Sequence, residues 1–323
     1  MGSVQEVRIA NRTGFCYGVR EAIDKAKESA AAGKATHTLG QVVHNEGVVR
    51  DLTGLGVHTV ESLADVDHGS VVVIRAHGVK PEVFEQAQDR ELEIIDGTCS
   101  WVVQEQRQLQ QLVEEGYTIV LLGTPQHPEV VGLLGFAPDA IVVDEEEDWD
   151  RIPRRKRMAL ITQSTQPPWK FEKLAAFMVG RAHELKIVNT VCPVTIRRQQ
   201  DTMDTASEVD LMVVVGGRHS ANTKELTRLC EIAGTRAIQI ENARDLVDPA
   251  PFEAVRVVGV TGGTSTPIED LREVAERIFT IAGTPDMQRR AVEMSVAALD
   301  AAAHPAGRTT SLPRVPVAAG AAS

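Results

Sequence analysis

The sequence predicts an α/β protein made of three repeated modules of parallel strands and helices, a trefoil related by a pseudo-threefold axis. Predicted strands alternate with predicted helices along most of the chain, which is typical of parallel sheets. A second observation is a repeated spacing of 24 residues from a cysteine to the glycine that ends the next β-branched run. It occurs for Cys16 and Gly40, Cys99 and Gly123, and Cys192 and Gly216. Equal spacings of this kind indicate an internal repeat.

Composition and charge restrict the class of protein. The chain has 323 residues, with 34 Lys and Arg against 45 Asp and Glu, which gives a net charge of −11. A chain of this acidity is a poor candidate for a general nucleic-acid binder, because the phosphate backbone demands a positive surface. No apolar run approaches the roughly 20 residues of a membrane span, and no signal-peptide core opens the chain. We therefore expect a cytoplasmic protein.

The first helix of each module follows its cysteine directly. The helix predicted over 18–32 has Val19, Ala22, Ile23 and Ala26 at helical spacing. The equivalent helices are predicted over 102–115 and 195–206, and each leads to a short apolar strand. Three further strands run straight into the cysteines, and they are predicted over 4–10, 92–95 and 186–188.

Each module continues with a polar loop, a second helix, a strand and a third helix. The second helices are predicted over 46–55, 129–135 and 222–233, the strands over 71–74, 158–161 and 255–260, and the third helices over 81–90, 171–185 and 267–282. The modules are predicted to cover 1–98, 99–191 and 192–285. The Ala- and Pro-rich tail over 286–323 is expected to form one helix over 286–303, with disorder from 304 onward.

Polar residues recur just after the strands, where ligands gather in parallel sheets. With the pseudo-threefold arrangement, these strand ends and the repeated cysteines would line one central cavity. His, Ser and Asn side chains there suit a small anion such as a diphosphate, and Glu129 is the carboxylate that could supply a proton. The polar donors are His44, His77, His127, Ser220, Asn222 and Ser265.

The three repeated cysteines indicate a metal site, whereas Cys230 has no place in the repeat. The chain has no Cys-x-x-Cys pair, which disfavours a zinc finger or ribbon. Three thiolates suit either a zinc ion or a [4Fe–4S] cluster with one iron left open for a ligand. The residues alone also allow three buried thiols that serve only packing.

Nine short motifs, in order, resemble the LytB/IspH family of 4-hydroxy-3-methylbut-2-enyl diphosphate reductases over residues 6–285. They are Gly14–Val19, Val42–Asn45, Ala76–Val79, Asp96–Cys99, His127–Val130, Thr162–Thr165, Cys192 with Arg198–Gln199, Ser220–Asn222, and Val260–Ser265. Each motif alone is weak, and their number and order make the resemblance specific.

The resemblance implies a trefoil of three α/β modules around a [4Fe–4S] cluster. Its three protein ligands would be Cys16, Cys99 and Cys192, with one open iron. It implies that Glu129, near His127 and helped by a hydroxyl of Ser164 or Thr165, delivers protons to an allylic hydroxyl. The products would be isopentenyl and dimethylallyl diphosphate, in the last step of the methylerythritol phosphate route to isoprenoids.

The resemblance also implies a diphosphate-binding set and an electron donor. The set is His44, His77, His127, Ser164, Ser220, Ala221, Asn222 and Ser265. The donor would be a ferredoxin or a flavodoxin, since the chain has no Gly-x-Gly-x-x-Gly dinucleotide motif.

The chain departs from the family pattern at several positions. Ala221 stands where a serine is common, so that one diphosphate contact is lost or passes to the backbone. The other departures are Ser100, Val131, Ser164 and Pro193. Two other classes of function stay open at this point. One is an iron–sulfur or zinc hydro-lyase acting on a small anion, and the other is a non-catalytic diphosphate-binding or iron-sensing module.

Overall fold

A computed structural model of the chain describes residues 4–43, 45–218 and 220–282. His44 and the tail over 283–323, with its predicted helix and disorder, lie outside the described residues. The described part forms three four-stranded parallel sheets with helices packed against them. This confirms the predicted fold class. None of the described helices is both long enough and apolar enough to cross a bilayer, and the cytoplasmic location stays a prediction.

The helices of the described part begin soon after strands, as expected of an α/β protein. They are α1 Tyr17–Ala31, α2 Glu46–Gly54, α3 Pro81–Asp89, α4 Ser100–Glu114, α5 Pro128–Leu133, α6 Pro168–Val179, α7 Pro193–Ala206, α8 Ala221–Ile232 and α9 Ile268–Ile281. Pro81 and Pro193 occupy first helical turns, where the missing N–H has no intrahelical partner to lose.

The strands pair in parallel within three sheets. They are β1 Glu6–Ile9, β2 Thr36–Leu39, β3 Val57–Val60, β4 Val71–Ile74, β5 Glu93–Asp96, β6 Thr118–Leu122, β7 Ile141–Val143, β8 Arg155–Thr162, β9 Ala182–Ile187, β10 Leu211–Val215, β11 Ala237–Ile240 and β12 Val257–Gly262. The first sheet has the order β3-β2-β4-β5, the second β7-β6-β8-β9, and the third β11-β10-β12-β1.

The position of β1 corrects one predicted module boundary. The sequence assigns residues 1–98 to the first module, yet β1 pairs with β12 in the third sheet, with Val7 opposite Val258. There β1 takes the edge that β5 and β9 take in the other two sheets. The physical reason is that β12 has an edge open for a parallel partner, and no strand among the described residues follows it in sequence. The remaining boundaries stay predictions.

Both faces of the central strands are covered. In β4, Val71 and Val73 pack in a core with α1, while Val72 and Ile74 pack in a second core that includes Ala87 of α3. All four strand residues are buried. Such burial explains why the central strands read as continuous β-branched runs rather than as alternating patterns.

Two parts of the sequence prediction are incomplete. The helix predicted over 171–185 is wrong at its end, since α6 stops at Val179 with Gly180 as its C-cap, and β9 begins at Ala182. Pairing of β9 with β8 overrides the helical periodicity there. The strands β3, β7 and β11 were not predicted. Each has only three or four residues and forms the same edge of its sheet.

Candidate active site

The three repeated cysteines occupy the same structural position. Cys16, Cys99 and Cys192 are the N-cap residues of α1, α4 and α7, and each is partly exposed. A helix N-terminus carries a partial positive charge and exposed N–H groups, which stabilise a thiolate. Cys230 differs, because it is buried within α8 and packs in the core of the third module. Three of the four thiols therefore share one structural position, at the N-terminus of a helix.

The three thiols lie within electrostatic range of one another. Burial, with smaller contributions from the nearby Cys16 and Cys99, raises the pKa of Cys192 to about 11. Burial and the proximity of Cys16 likewise raise the pKa of Cys99. A β-carbon placed on Gly18 would lie 2.6 Å from Sγ of Cys99, so the start of α1 touches the second cysteine directly.

The chemistry of this donor set fits a cluster of positive metal ions. The Cys99 and Cys192 thiols, whose pKa values are raised, would give up their protons to a metal, because a cation reverses the local electrostatics. Within the described ranges, no three or more His, Cys, Asp or Glu side chains are grouped tightly enough for a single metal ion. The fit therefore rests on the shared helix N-termini of the three thiols and on their mutual electrostatic interaction.

Two polar loops predicted from the sequence hold the cysteines by backbone hydrogen bonds. The N–H of Cys99 donates to the carbonyl of Ala76, at 3.0 Å, in the loop after β4. The N–H of Cys192 donates to the carbonyl of Ser164, at 2.8 Å, in the loop after β8. The predicted site loops of the first and second modules therefore lie beside the thiols.

Glu129 is buried and bonded twice to one residue. The backbone N–H of Ser164 donates to Oε1 of Glu129 at 2.5 Å, and the Ser164 hydroxyl donates to Oε2 at 2.9 Å. Burial raises the pKa of Glu129, and the two hydrogen bonds from Ser164 lower it by a smaller amount, so that the net shift is upward. A carboxyl group with a raised pKa is suited to donate a proton near neutral pH.

The two predicted histidines His77 and His127 lie side by side. Their ring centroids are 5.2 Å apart, and the rings meet edge to face. His127 is the N-cap of α5, and its Nδ1 accepts a hydrogen bond from the N–H of Glu129 at 3.2 Å. In the neutral ring the proton then resides on Nε2. The loop after β4 and the start of α5 thus present two imidazoles at one place.

Thr165 is not bonded to Glu129. Its hydroxyl accepts a hydrogen bond from Nε2 of Gln163 at 2.8 Å. Of the two hydroxyl groups suggested as helpers of Glu129, the structure therefore places the Ser164 hydroxyl on the carboxylate.

The third module brings Asn222 next to the loop that contains Ser265. The amide nitrogen of Asn222 lies 3.5 Å from the position of a β-carbon on Gly263. That nitrogen is buried and has no hydrogen-bond partner within the described ranges, which leaves a donor for an anionic oxygen. Ser220 caps α8, its hydroxyl accepting from the N–H of Thr223 at 3.3 Å. The binding roles of His44 and Ala221 stay predictions.

Sequence reasoning missed Glu105. This residue lies on the buried stripe of α4 with Val102, Leu109 and Leu112, and it is fully buried. Burial raises its pKa well above the ordinary value, and the neighbouring carboxyl of Glu129 raises it further. The signal was present in the sequence, since Glu105 interrupts an apolar stripe at helical spacing.

Arg198 belongs to one of the nine motifs, and no role was predicted for it. Its guanidinium is fully buried and donates to the carbonyls of Gly262, at 2.8 Å, and Gly14, at 2.6 Å. It thereby ties α7 to the loop before Cys16 and to the end of β12.

Comparison with known proteins agrees with this geometry. The family described as LytB protein matches residues 7–279. A 4-hydroxy-3-methylbut-2-enyl diphosphate reductase of Geobacter metallireducens is 39% identical over 277 residues, covering 85% of this chain and 98% of the relative. A reductase of the same name from Pelobacter propionicus is 38% identical over 276 residues, with the same two coverages.

Two solved structures share the fold. A structure of (E)-4-hydroxy-3-methyl-but-2-enyl diphosphate reductase, described as the terminal enzyme of the non-mevalonate pathway, has a TM-score of 0.66 and 34% identity. It covers 87% of this chain and 100% of that one. A structure of the E-1-hydroxy-2-methyl-but-2-enyl-4-diphosphate reductase from Plasmodium falciparum has a TM-score of 0.80 and 26% identity, covering 85% of this chain and 88% of that one. The match over most of its length, together with the three-sheet fold, shows that the chain belongs to the LytB protein family.

Proposed function

We propose that this chain is an iron–sulfur oxidoreductase that reduces 4-hydroxy-3-methylbut-2-enyl diphosphate to isopentenyl and dimethylallyl diphosphate. The observation that supports this most directly is the placement of Glu129. Its carboxyl group is buried and bonded to Ser164, and the carbonyl of Ser164 accepts from the N–H of Cys192. The proposed proton donor and a thiol-bearing residue therefore both bond to Ser164, which supports proton delivery beside the thiols.

The reaction balances with two electrons and two protons. The bond from the allylic carbon to its hydroxyl oxygen breaks, and the oxygen leaves as water after taking one proton. The second proton adds to either end of the allyl unit, which accounts for two products. A hydro-lyase would remove water without consuming electrons, and this difference separates the two classes of enzyme.

Membership of the family implies an iron–sulfur cluster, and we infer that Cys16, Cys99 and Cys192 hold it as a [4Fe–4S] cluster with one iron free of protein ligands. When bound, such a cluster supplies single electrons and a Lewis-acidic iron. The three thiols fit it through their shared position at helix N-termini. Cys230 is buried in α8 and takes no part.

Binding and proton delivery are assigned to the polar loops. Glu129 gives a proton to the departing oxygen, and Ser164 fixes the orientation of its carboxyl group. His77, His127 and Asn222 offer N–H donors to the diphosphate; the remaining contacts are assigned to His44, Ser220, Ser265 and the backbone at Ala221. Thr165 stands beside this set and bonds to Gln163. Since most of these donors carry no fixed charge, binding relies on many hydrogen bonds to the anion.

The electrons are assigned to a ferredoxin or a flavodoxin. The sequence has no Gly-x-Gly-x-x-Gly motif that would bind a dinucleotide. A direct supply of electrons from NADH or NADPH is therefore not part of the proposal.

The test is a count of electrons against product. Anaerobically purified protein is given 4-hydroxy-3-methylbut-2-enyl diphosphate with reduced methyl viologen. The proposal predicts both C5 diphosphates as products and two viologen radicals oxidised for each substrate consumed. Substrate loss without viologen oxidation would instead indicate a hydro-lyase, and binding without product would indicate a non-catalytic module.

A further inference from the structure

A second buried carboxyl group lies beside Glu129. Glu105, on α4, is 0% exposed, and Glu129, on α5, is 2% exposed. Neither carboxylate oxygen of Glu105 has a donor near it within the described ranges. The polar group that acts on it most is the carboxyl group of Glu129, on α5, and α5 packs against α4 in one core through Leu109, Leu112, Val130 and Leu133. Two carboxylates cannot bond to each other, whereas a carboxylic acid donates to a carboxylate.

The surroundings settle which of the two carboxyl groups keeps the proton. Both oxygens of Glu129 accept hydrogen bonds from Ser164, which favours its ionised form. Glu105 receives no such bond, and the charged or titratable groups that act on it are Glu129 and Cys99, neither of which is a cation. An ionised Glu105 would be a buried, unpaired charge, which is costly. The proton of the pair therefore resides on Glu105.

The position of Glu105 does not call for a carboxyl group on packing grounds. Its neighbours on the buried stripe of α4, Val102, Leu109 and Leu112, are apolar. An apolar side chain there would be buried without the cost of desolvating a carboxyl group. A costly group with a perturbed environment beside an acid of the site is a candidate for function.

We propose that Glu105 is a positioning residue that keeps a proton against Glu129, so that the two carboxyl groups act together as the proton donor of the site. This rests on the proposed function, because it takes Glu129 as the residue that protonates the departing oxygen. The proton crosses from the Glu105 carboxyl to the Glu129 carboxylate, Glu129 passes it to the oxygen, and one of the two protons that the reaction takes up from solvent restores the pair. No electron is moved by either residue.

The first test is infrared spectroscopy of the anaerobic holoprotein as a function of pH. The wild type is expected to show the C=O stretch of a protonated carboxyl group that persists at pH 8. Glu105→Gln should lose this band, Glu129→Gln should keep it at a shifted frequency, and Glu114→Gln, an exposed change on the same helix, should leave it unaltered. If Glu105→Gln does not fold, the wild-type spectrum still tests the proposal. A wild-type protein that lacks this band at pH 8 overturns it.

The second test is the pH profile of kcat with reduced methyl viologen. A coupled pair gives up its last proton at a higher pH than a lone carboxyl group, because the second ionisation places two like charges together. Glu105→Gln is therefore expected to move the alkaline limb toward acid by about one pH unit, which lowers kcat about tenfold above the limb. The KM of Glu105→Gln should equal that of the wild type, and the pH profile of the control Glu114→Gln should match the wild-type profile.

Failure of this inference is distinguishable from failure of the proposed function. If Glu105→Gln loses the infrared band but keeps the wild-type pH profile, Glu105 carries a proton that the reaction does not use, and the inference is overturned while the reductase stands. If Glu129→Gln keeps full turnover, the assignment of the proton donor itself is wrong. If Glu105→Gln both loses the infrared band and shifts the alkaline limb of the kcat profile, the inference and the proposed function are both supported.

Discussion

At the scale of single residues, the carboxyl group of Glu129 is subject to two opposing effects. Burial raises its pKa, and the N–H and hydroxyl of Ser164 lower it. Because burial is the larger effect, the pKa of Glu129 is higher than that of an exposed glutamate. The hydrogen bonds fix the orientation of the carboxyl group, and burial raises its pKa.

Glu129→Gln tests the role of this acid. The amide has the same shape but cannot deliver a proton, so kcat should fall by about 10²–10⁴-fold. The electron paramagnetic resonance signal of the cluster and the Kd for substrate should be close to wild type. Glu147→Gln, an exposed change in the same module, is the matched control. A kcat for Glu129→Gln within twofold of that control would remove Glu129 from its role.

Gly18 is required by contact rather than by backbone conformation. A β-carbon there would lie 2.6 Å from Sγ and 2.8 Å from Cβ of Cys99, closer than real contacts allow. Gly18→Ala should therefore displace Cys99 and lower the iron content of purified protein by more than half, with the far-ultraviolet circular dichroism unchanged. Gly54→Ala is the control, because a β-carbon there meets no atom within 4 Å. Full iron content in Gly18→Ala would contradict this account.

At the scale of elements, α7 is tied to two other segments through Arg198. Its guanidinium donates to the carbonyls of Gly14 and Gly262, which belong to the loop before Cys16 and to β12. The charge is buried, and the two strong hydrogen bonds hold the Arg198 side chain and the two bonded segments in fixed relative positions. The positions of the loop before Cys16 and of the end of β12 thus depend on one side chain of α7.

Arg198→Met is expected to lower the free energy of unfolding by about 3 kcal/mol, because two buried carbonyls lose a charged donor while one buried charge is removed. Urea unfolding of the apoprotein measures the effect. Arg197→Met, at the exposed neighbouring position, should change the free energy by less than about 0.5 kcal/mol. Equal free energies of unfolding for the two variants would show that the hydrogen bonds of Arg198 do not stabilise the fold.

The sequence predicts most elements because their signals are local. The buried strand β4 was predicted with its observed bounds, and the helices α1 and α4 to within two residues. The edge strands β3 and β7 were not predicted, because β3 mixes valine with an exposed His and Thr, and β7 has only three residues, so neither has the four-residue apolar run of β4. A role for Glu105 was not predicted either, because that role depends on Glu129, which is 24 residues away in sequence and near Glu105 only in the fold.

At the scale of the whole molecule, the three sheets share one strand order, and β1 completes the third of them. The repeated spacing of cysteines reveals the threefold repetition. It does not reveal that the first strand closes the last sheet, because strand partners are set by long-range packing rather than by local pattern. Among the described residues, the first strand is therefore joined to the last one within a single sheet.

The buried pair of carboxyl groups also predicts how stability depends on pH. The pKa of Glu105 and that of Glu129 are both raised in the folded protein, so the folded state binds more protons than the unfolded state above about pH 4.3. Stability is then lost as the pH rises through the folded pKa values. Glu105→Gln should gain in Tm relative to wild type between pH 5 and pH 8, by roughly 2 °C or more. A difference in Tm that is the same at both pH values, as expected for Glu114→Gln, would contradict the shift.

The central claim is that three of the four cysteines hold an iron–sulfur cluster, and iron and acid-labile sulfide counts after anaerobic purification test it most directly. The account predicts about four irons and four sulfides per chain in the wild type and in Cys230→Ala. Replacement of Cys16, Cys99 or Cys192 by alanine should remove most of both. A colourless wild type with one zinc and no iron, or full iron content without Cys99, would contradict it.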